Sequence, residues 1–239
     1  MIVTDRLLFL HLHKSGGTFV NALLKRCVPS AEQIGYHLPY REVPAAYRDL
    51  PVVGTVRSPW AYYVSWYHFQ LGVPKRNILF QLCSNEGRLG FKDTVANLVN
   101  LSGDEPRLVL LEQGLPDTYG KAGINLTKAC VGELRERGLG FYSFLYERMY
   151  AGAAEPTILR AERLREELRA VLYAFGHLPD DCADRFLDES PPLNVSRHDV
   201  PSTYYDEELA ALVAERDRTV VDRYGYTLGE TGAGADPLA

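Results

Sequence analysis

Three short apolar runs alternate along the chain with stretches whose apolar residues recur every three or four positions. The run RLLFLHLH (residues 6–13) has the uninterrupted hydrophobicity of a buried parallel strand and ends close to a glycine pair. TFVNALLKRC (residues 18–27) follows, with Phe19, Val20, Leu23, Leu24 and Cys27 on one helical face. LPVVGTVRSP (residues 50–59) reads as a second central strand, and Pro59 suits the first turn of the helix PWAYYVSWYHFQL. That helix places Trp60, Tyr63, Val64, Tyr67 and Leu71 at core spacings. A third strand, PTILRAE, precedes the helical ERLREELRAVLYAFG, with Gly176 as its C-cap. Strand and helix alternate, so the predicted fold class is α/β, a doubly wound parallel sheet flanked by helices.

Residues 71–150 break that rhythm. LGVPKRNILFQLCSNEGRLG reads as a long irregular connection, with helical stretches near 91–101 and 127–150. Such a helical and loop insertion serves either as a substrate lid or as plain packing around a sheet. The last helix is YYDEELAALVAERDRTVVDRYGY, and GETGAGADPLA (residues 229–239) reads as a disordered tail, leaving residues 1–228 as a single domain.

Composition narrows the function. A net charge of −5 provides no general basic surface for nucleic acid or a long polyanion, so any anion must be met by a local pocket. The apolar run LLFL is far short of the roughly 20 residues that span a bilayer, and no signal-peptide layout follows it, so a soluble, cytoplasmic chain is expected. Cys27, Cys83, Cys130 and Cys182 have no metal-ligand spacing and are expected as reduced, mostly buried thiols, with no zinc site.

Chemistry concentrates in two loops. HLHKSGGTFV (residues 11–20) sets Lys14, Ser15, Gly16, Gly17 and Thr18 between a strand and a helix, where glycines let backbone N–H groups wrap an anion at a helix N-terminus. The order is the reverse of an ATP-type loop, in which glycine and lysine precede a magnesium-binding hydroxyl. At the second strand, Arg57 stands at the strand end and Ser65 follows eight residues later, two turns along a helix, so both can face one anion.

The first motif resembles the 5′-phosphosulfate loop of sulfotransferases that use 3′-phosphoadenosine 5′-phosphosulfate (PAPS), and the second resembles their 3′-phosphate motif. ILRAERL, and NVSRH with the helix ending RYGY, extend the likeness over nearly the whole chain. The Arg-Lys-Gly tripeptide of cytosolic family members is absent; Ser196 and Arg197 stand as its replacement. The resemblance implies a P-loop-like sulfotransferase fold and a metal-free transfer from PAPS to an acceptor hydroxyl, with 3′-phosphoadenosine 5′-phosphate (PAP) as product. Lys14 would then steady the leaving phosphate. Lys14 to Thr18, Phe19, Arg57 and Ser65 would hold the nucleotide.

The acceptor's proton needs a base, and histidine titrates near neutrality. His37 in IGYHLP lies between the two motifs and resembles the base of the branch containing uronyl 2-O-sulfotransferases. His13 is expected near the donor, His11 on a strand face, His68 packed on its helix, and His177 and His198 in loops. The acceptor class stays open between a small molecule and a carbohydrate; FYSFLYERMY could wall a pocket for it or form helix core. The alternative readings are an ATP-dependent small-molecule kinase and a non-catalytic nucleotide-binding module.

Overall fold

The computed structural model describes residues 1–121, 123–191, 193 and 198–229. Among these, strands β1 (Ile2–Val3), β2 (Leu8–Leu10), β3 (Glu32–Gln33), β4 (Val52–Val56) and β5 (Thr157–Arg160) form a sheet in the order β3-β1-β2-β4-β5. The helices are α1 (Gly17–Cys27), α2 (Pro59–Gly72), α3 (Ile78–Cys83), α4 (Phe91–Val99), α5 (Glu105–Gly114) and α6 (Lys128–Arg137). They continue as α7 (Phe141–Tyr150), α8 (Leu164–Ala174), α9 (Asp181–Glu189), α10 (Glu207–Arg216) and α11 (Arg218–Tyr224).

The α/β class holds, but the sheet is mixed. β2, β4 and β5 run parallel, whereas β1 is antiparallel to both β2 and β3. The cause is local: four residues separate Val3 from Leu8, too few for anything but a hairpin. Thr4 closes it, its N–H donating to the Leu7 carbonyl at 2.9 Å and its hydroxyl accepting from the Leu7 and Arg6 amides at 3.0 and 3.1 Å. A strand of two residues carries no periodicity, so β1 and β3 have no signature in the hydrophobic pattern.

The chain divides into two compact units. The first holds Met1–Arg57 and the described residues from Arg148 to 193; the second holds Ser58–Glu147 and residues 198–229. In the first unit one row of the sheet pairs Ile2 with Phe9 and Phe9 with Val53. These three, with Leu159, pack in one core with Phe19, Leu23 and Leu24 of α1, Leu168 and Leu172 of α8, and Phe186 and Leu187 of α9. On the other face Gly54 lies under the Tyr150 ring, whose atoms a Cβ there would meet at 2.3 Å. The Tyr150 hydroxyl donates to the Thr55 carbonyl at 2.7 Å and accepts from its amide at 2.8 Å.

α1, α2 and α8 stand where the apolar spacing puts them. Pro59 opens α2 at its first turn, and Gly176 follows the cap of α8 with φ +69°. Other expectations change. The connection at 71–90 contains α3, started by the Asn77 side chain accepting from the Phe80 amide at 2.8 Å, and α5 was not anticipated. Leu71 is 42% exposed rather than core, while Tyr62 and Trp66 of α2 are wholly buried. The C-terminal helix is broken into α10 and α11 at Asp217, a fully buried carboxylate. The aromatics of FYSFLYERMY are buried helix core within α7.

The thiol expectation also changes. Cys27, the last residue of α1, is disulfide-bonded to Cys182 of α9 across 155 residues of sequence, a separation that carries no local signal. Cys83 and Cys130 remain buried thiols, and burial pushes the Cys83 thiol up to about 12. Among the described residues no helix is long and apolar enough to cross a membrane.

Candidate functional site

In parallel sheets, chemistry gathers beyond the carboxyl ends of the strands. The Lys14 loop leaves the end of β2, and Arg57 follows the last residue of β4, its neighbour in the parallel part of the sheet. Sheet order alone therefore brings Arg57 beside the Lys14 loop. The Arg57 guanidinium reaches the Lys14 carbonyl in a long 3.5 Å contact.

The loop turns sharply. Lys14 and Gly16 both lie in the left-handed region, at φ +55° and +82°, and α1 starts at Gly17. A side chain at residue 16 would be strained by its φ and would meet Leu164 Cδ2 at 2.8 Å. Gly17 is glycine for a different reason: the His11 ring occupies the place of its Cβ, 2.0 Å away. Ser15 is fully buried and its hydroxyl donates to the His13 carbonyl at 3.2 Å, tying the loop to its own strand end. Lysine accepts a left-handed backbone at a cost of about 1 kcal/mol, and such strain collects at functional sites.

Arg57 is buried, 8% exposed, and Lys14 is half-buried with its Nζ enclosed. Burial, followed by repulsion from the Arg57 guanidinium, lowers Lys14 to about 8. Like charges close together in low dielectric each disfavour the other's ionisation.

Three histidines close the other side of the loop. The His37 ring lies 4.2 Å from that of His11 and 5.4 Å from that of His13, with Tyr36 edge-on to His37 at 4.3 Å. His37 is itself left-handed, φ +49°, and its Nδ1–H donates to the His11 carbonyl at 2.6 Å. That bond fixes the proton on Nδ1 and leaves Nε2 as the basic atom. Burial lowers His37 to about 4, although the carbonyl bond works against it, and burial holds His11 and His13 well below the usual imidazole range. The cluster is neutral at pH 7.

His11, expected to point into a strand face, instead packs over Gly17 in this cluster. Asn21 on α1 donates from Nδ2 to His11 Nδ1 at 3.1 Å. Its only trace in the sequence is a polar residue one turn into an apolar helix. Phe19 does not line the loop with its side chain: the ring is core, 5.2 Å from that of Phe186, and its amide donates to the Gly16 carbonyl at 3.0 Å. Thr18 is half-buried at the first turn of α1.

Ser65 is buried on α2 in the second unit. There, His68 packs against Tyr204 at 5.0 Å and His198 at 5.5 Å. His177 bonds through Nε2 to the Thr4 hydroxyl at 3.1 Å. Ser196 and Arg197 lie outside the described residues. Among the described residues no group of three or more His, Cys, Asp or Glu side chains is arranged to hold a metal ion. No protein-family model matches the chain, and no curated protein matches it.

Proposed function

We propose that the protein is a PAPS-dependent sulfotransferase acting on the hydroxyl of a small-molecule or carbohydrate acceptor in the cytoplasm. The observation that carries this reading is the placing of buried Arg57 and half-buried Lys14 beyond the ends of adjacent parallel strands and ahead of the α1 N-terminus. This geometry fits a compact, multiply charged anion far better than a neutral ligand.

PAPS supplies a sulfuryl group on a 5′-phosphate that departs as an anion. Lys14 neutralises the charge that builds on the leaving oxygen, and the left-handed turn at Gly16 aims the first amides of α1 at it. Arg57 grips the 3′-phosphate with its planar fork. His37, neutral and held by the His11 carbonyl, takes the acceptor's proton on Nε2.

The test is calorimetric titration with PAP in EDTA, beside ADP with magnesium. Metal-free PAP binding that is lost on removing the 3′-phosphate is the expected result. Arg57→Ala should weaken PAP by about 100-fold and leave adenosine 5′-phosphosulfate, which lacks that phosphate, nearly unchanged. A preference for ADP with magnesium would turn the reading to a kinase, and no binding of either to a non-catalytic module.

A further inference from the structure

We propose that the Cys27–Cys182 disulfide is a site of reversible exchange with small amino-acid-type thiols, and that its state sets how firmly α1 holds the Lys14–Thr18 loop. The bond joins the far end of the helix that begins at the loop to the second residue of α9. Both cysteines are half-buried rather than sealed in the core. Cys182 lines an open cavity of about 490 Å³ together with Arg26, Arg185, Asp181 and Glu189. A lining that includes two arginines and two acidic residues matches a thiol that bears both carboxylate and ammonium groups.

Exchange runs in two steps. The thiolate of the small molecule attacks Cys182 Sγ, forming a mixed disulfide as the protein S–S bond breaks, and Cys27 leaves as a thiolate that takes a proton from water. A second small thiol attacks the mixed disulfide, releasing Cys182 as a thiol and carrying away the oxidised small-molecule disulfide. Two electrons enter the protein, and two small thiols are oxidised.

The consequence for the loop follows from what else fastens α9 to α1. Phe186 packs on Phe19 at the loop end, and Arg165 lies 4.8 Å over the same Phe19 ring. The disulfide is the covalent tie at the opposite end. Opened, it leaves that pair of helices with noncovalent packing alone, and the last turn of α1 loses its covalent anchor on α9. A reducing compartment keeps the pair open, and an oxidising one keeps it closed.

The nucleotide readout rests on the PAPS-donor reading, so the test has a second readout that does not. The protein is oxidised with oxidised glutathione or reduced with millimolar glutathione, its free cysteines are alkylated and mapped by mass, and each form is titrated with PAP. Amide hydrogen exchange is followed over residues 17–27. Reduction should expose Cys27 and Cys182 to alkylation, speed exchange in α1, and weaken PAP about tenfold if the competent loop falls to about a tenth of the population. The Cys27→Ser/Cys182→Ser double variant should match the reduced form whatever the redox state.

Failure of the bond to form, or to open with glutathione, overturns the proposal, as does an opened bond with unchanged exchange and PAP affinity. If PAP binds neither form, the donor reading fails. The exchange data then decide alone: faster exchange on reduction supports the tie, and unchanged exchange overturns it.

Discussion

Among its buried charges the protein treats two sites oppositely. In the second unit Asp217 is wholly buried, yet its carboxylate accepts from the Tyr63 hydroxyl at 2.6 Å and from the Ser143 amide at 2.7 Å. The Tyr63 hydroxyl in turn accepts from the Tyr142 amide at 3.1 Å, and a Cβ on Gly140 would meet Asp217 Oδ1 at 2.6 Å. The chain itself supplies the donors for this charge, which is how structural carboxylates are accommodated. In the first unit the Arg57 charge disfavours that of Lys14, and the rings of His13 and His37 are neutral. The first arrangement surrounds a charge with donors, whereas the second sets like charges close together, as the proposed anion site requires.

The sharpest way to break this contrast is at Lys14. Lys14→Ala should lower sulfuryl transfer by about 10⁴-fold, since it removes the cation placed for the leaving phosphate, while thermal stability stays level or rises. A fall in stability with unchanged transfer would make Lys14 structural, like Asp217. The same residue gives a pH test. Its ammonium is lowered to about 8 in the free protein, so the charge is lost as pH rises through that value. A bound phosphate restores it, so PAP affinity should decline above pH 8 and binding there should take up a proton.

Asp217 sharpens the other side. Asp217→Ala leaves the Tyr63 hydroxyl and the Ser143 amide buried without their acceptor, and should cost about 3 to 5 kcal/mol in denaturant unfolding. The carboxyl also titrates in its own direction: burial raises it from 3.8 to about 6, against the hydrogen bonds that pull it down. A folded value above the unfolded one means the contribution is complete below about pH 4 and is lost as pH climbs through 6, about 3 kcal/mol in all. Asp217→Asn should flatten that slope. A slope identical in the Asn variant would assign it to other groups.

How far the two regions were legible in the sequence follows from the range of the interactions that make them. β2, α1, β4, α2 and α8 were readable because burial imprints a period on consecutive residues, and the loop and Arg57 were readable because each sits in a short contiguous motif. Their adjacency needed only the rule that parallel neighbours end together. The Gly17–His11 contact, the Asn21 bond to His11, the cysteine pair and the Asp217 cluster join residues whose spacing obeys no period. Asp217 in particular sits in a run, AERDRTV, that reads as one exposed helical face. Gly17 is instructive because the sequence suggests an anion cradle, while the structure already explains the glycine by the ring packed against it.

His37 makes the smallest expected difference and the finest discrimination. It shares with Asp217 a buried titratable group bonded to backbone, but here burial keeps the ring neutral, and the bond to the His11 carbonyl leaves Nε2 as the basic atom. His37→Ala should therefore slow turnover by about 10²-fold with PAP affinity and stability nearly intact. Because burial lowers the imidazole to about 4, the acid limb of kcat/KM should fall near pH 4 rather than near the 6.5 of a free histidine. The stability of the same protein should meanwhile change between pH 4 and 6 with Asp217. An activity limb near pH 6 that disappears in Asp217→Asn would mean that catalysis senses the structural carboxylate, and the separation of the two buried sites would fail.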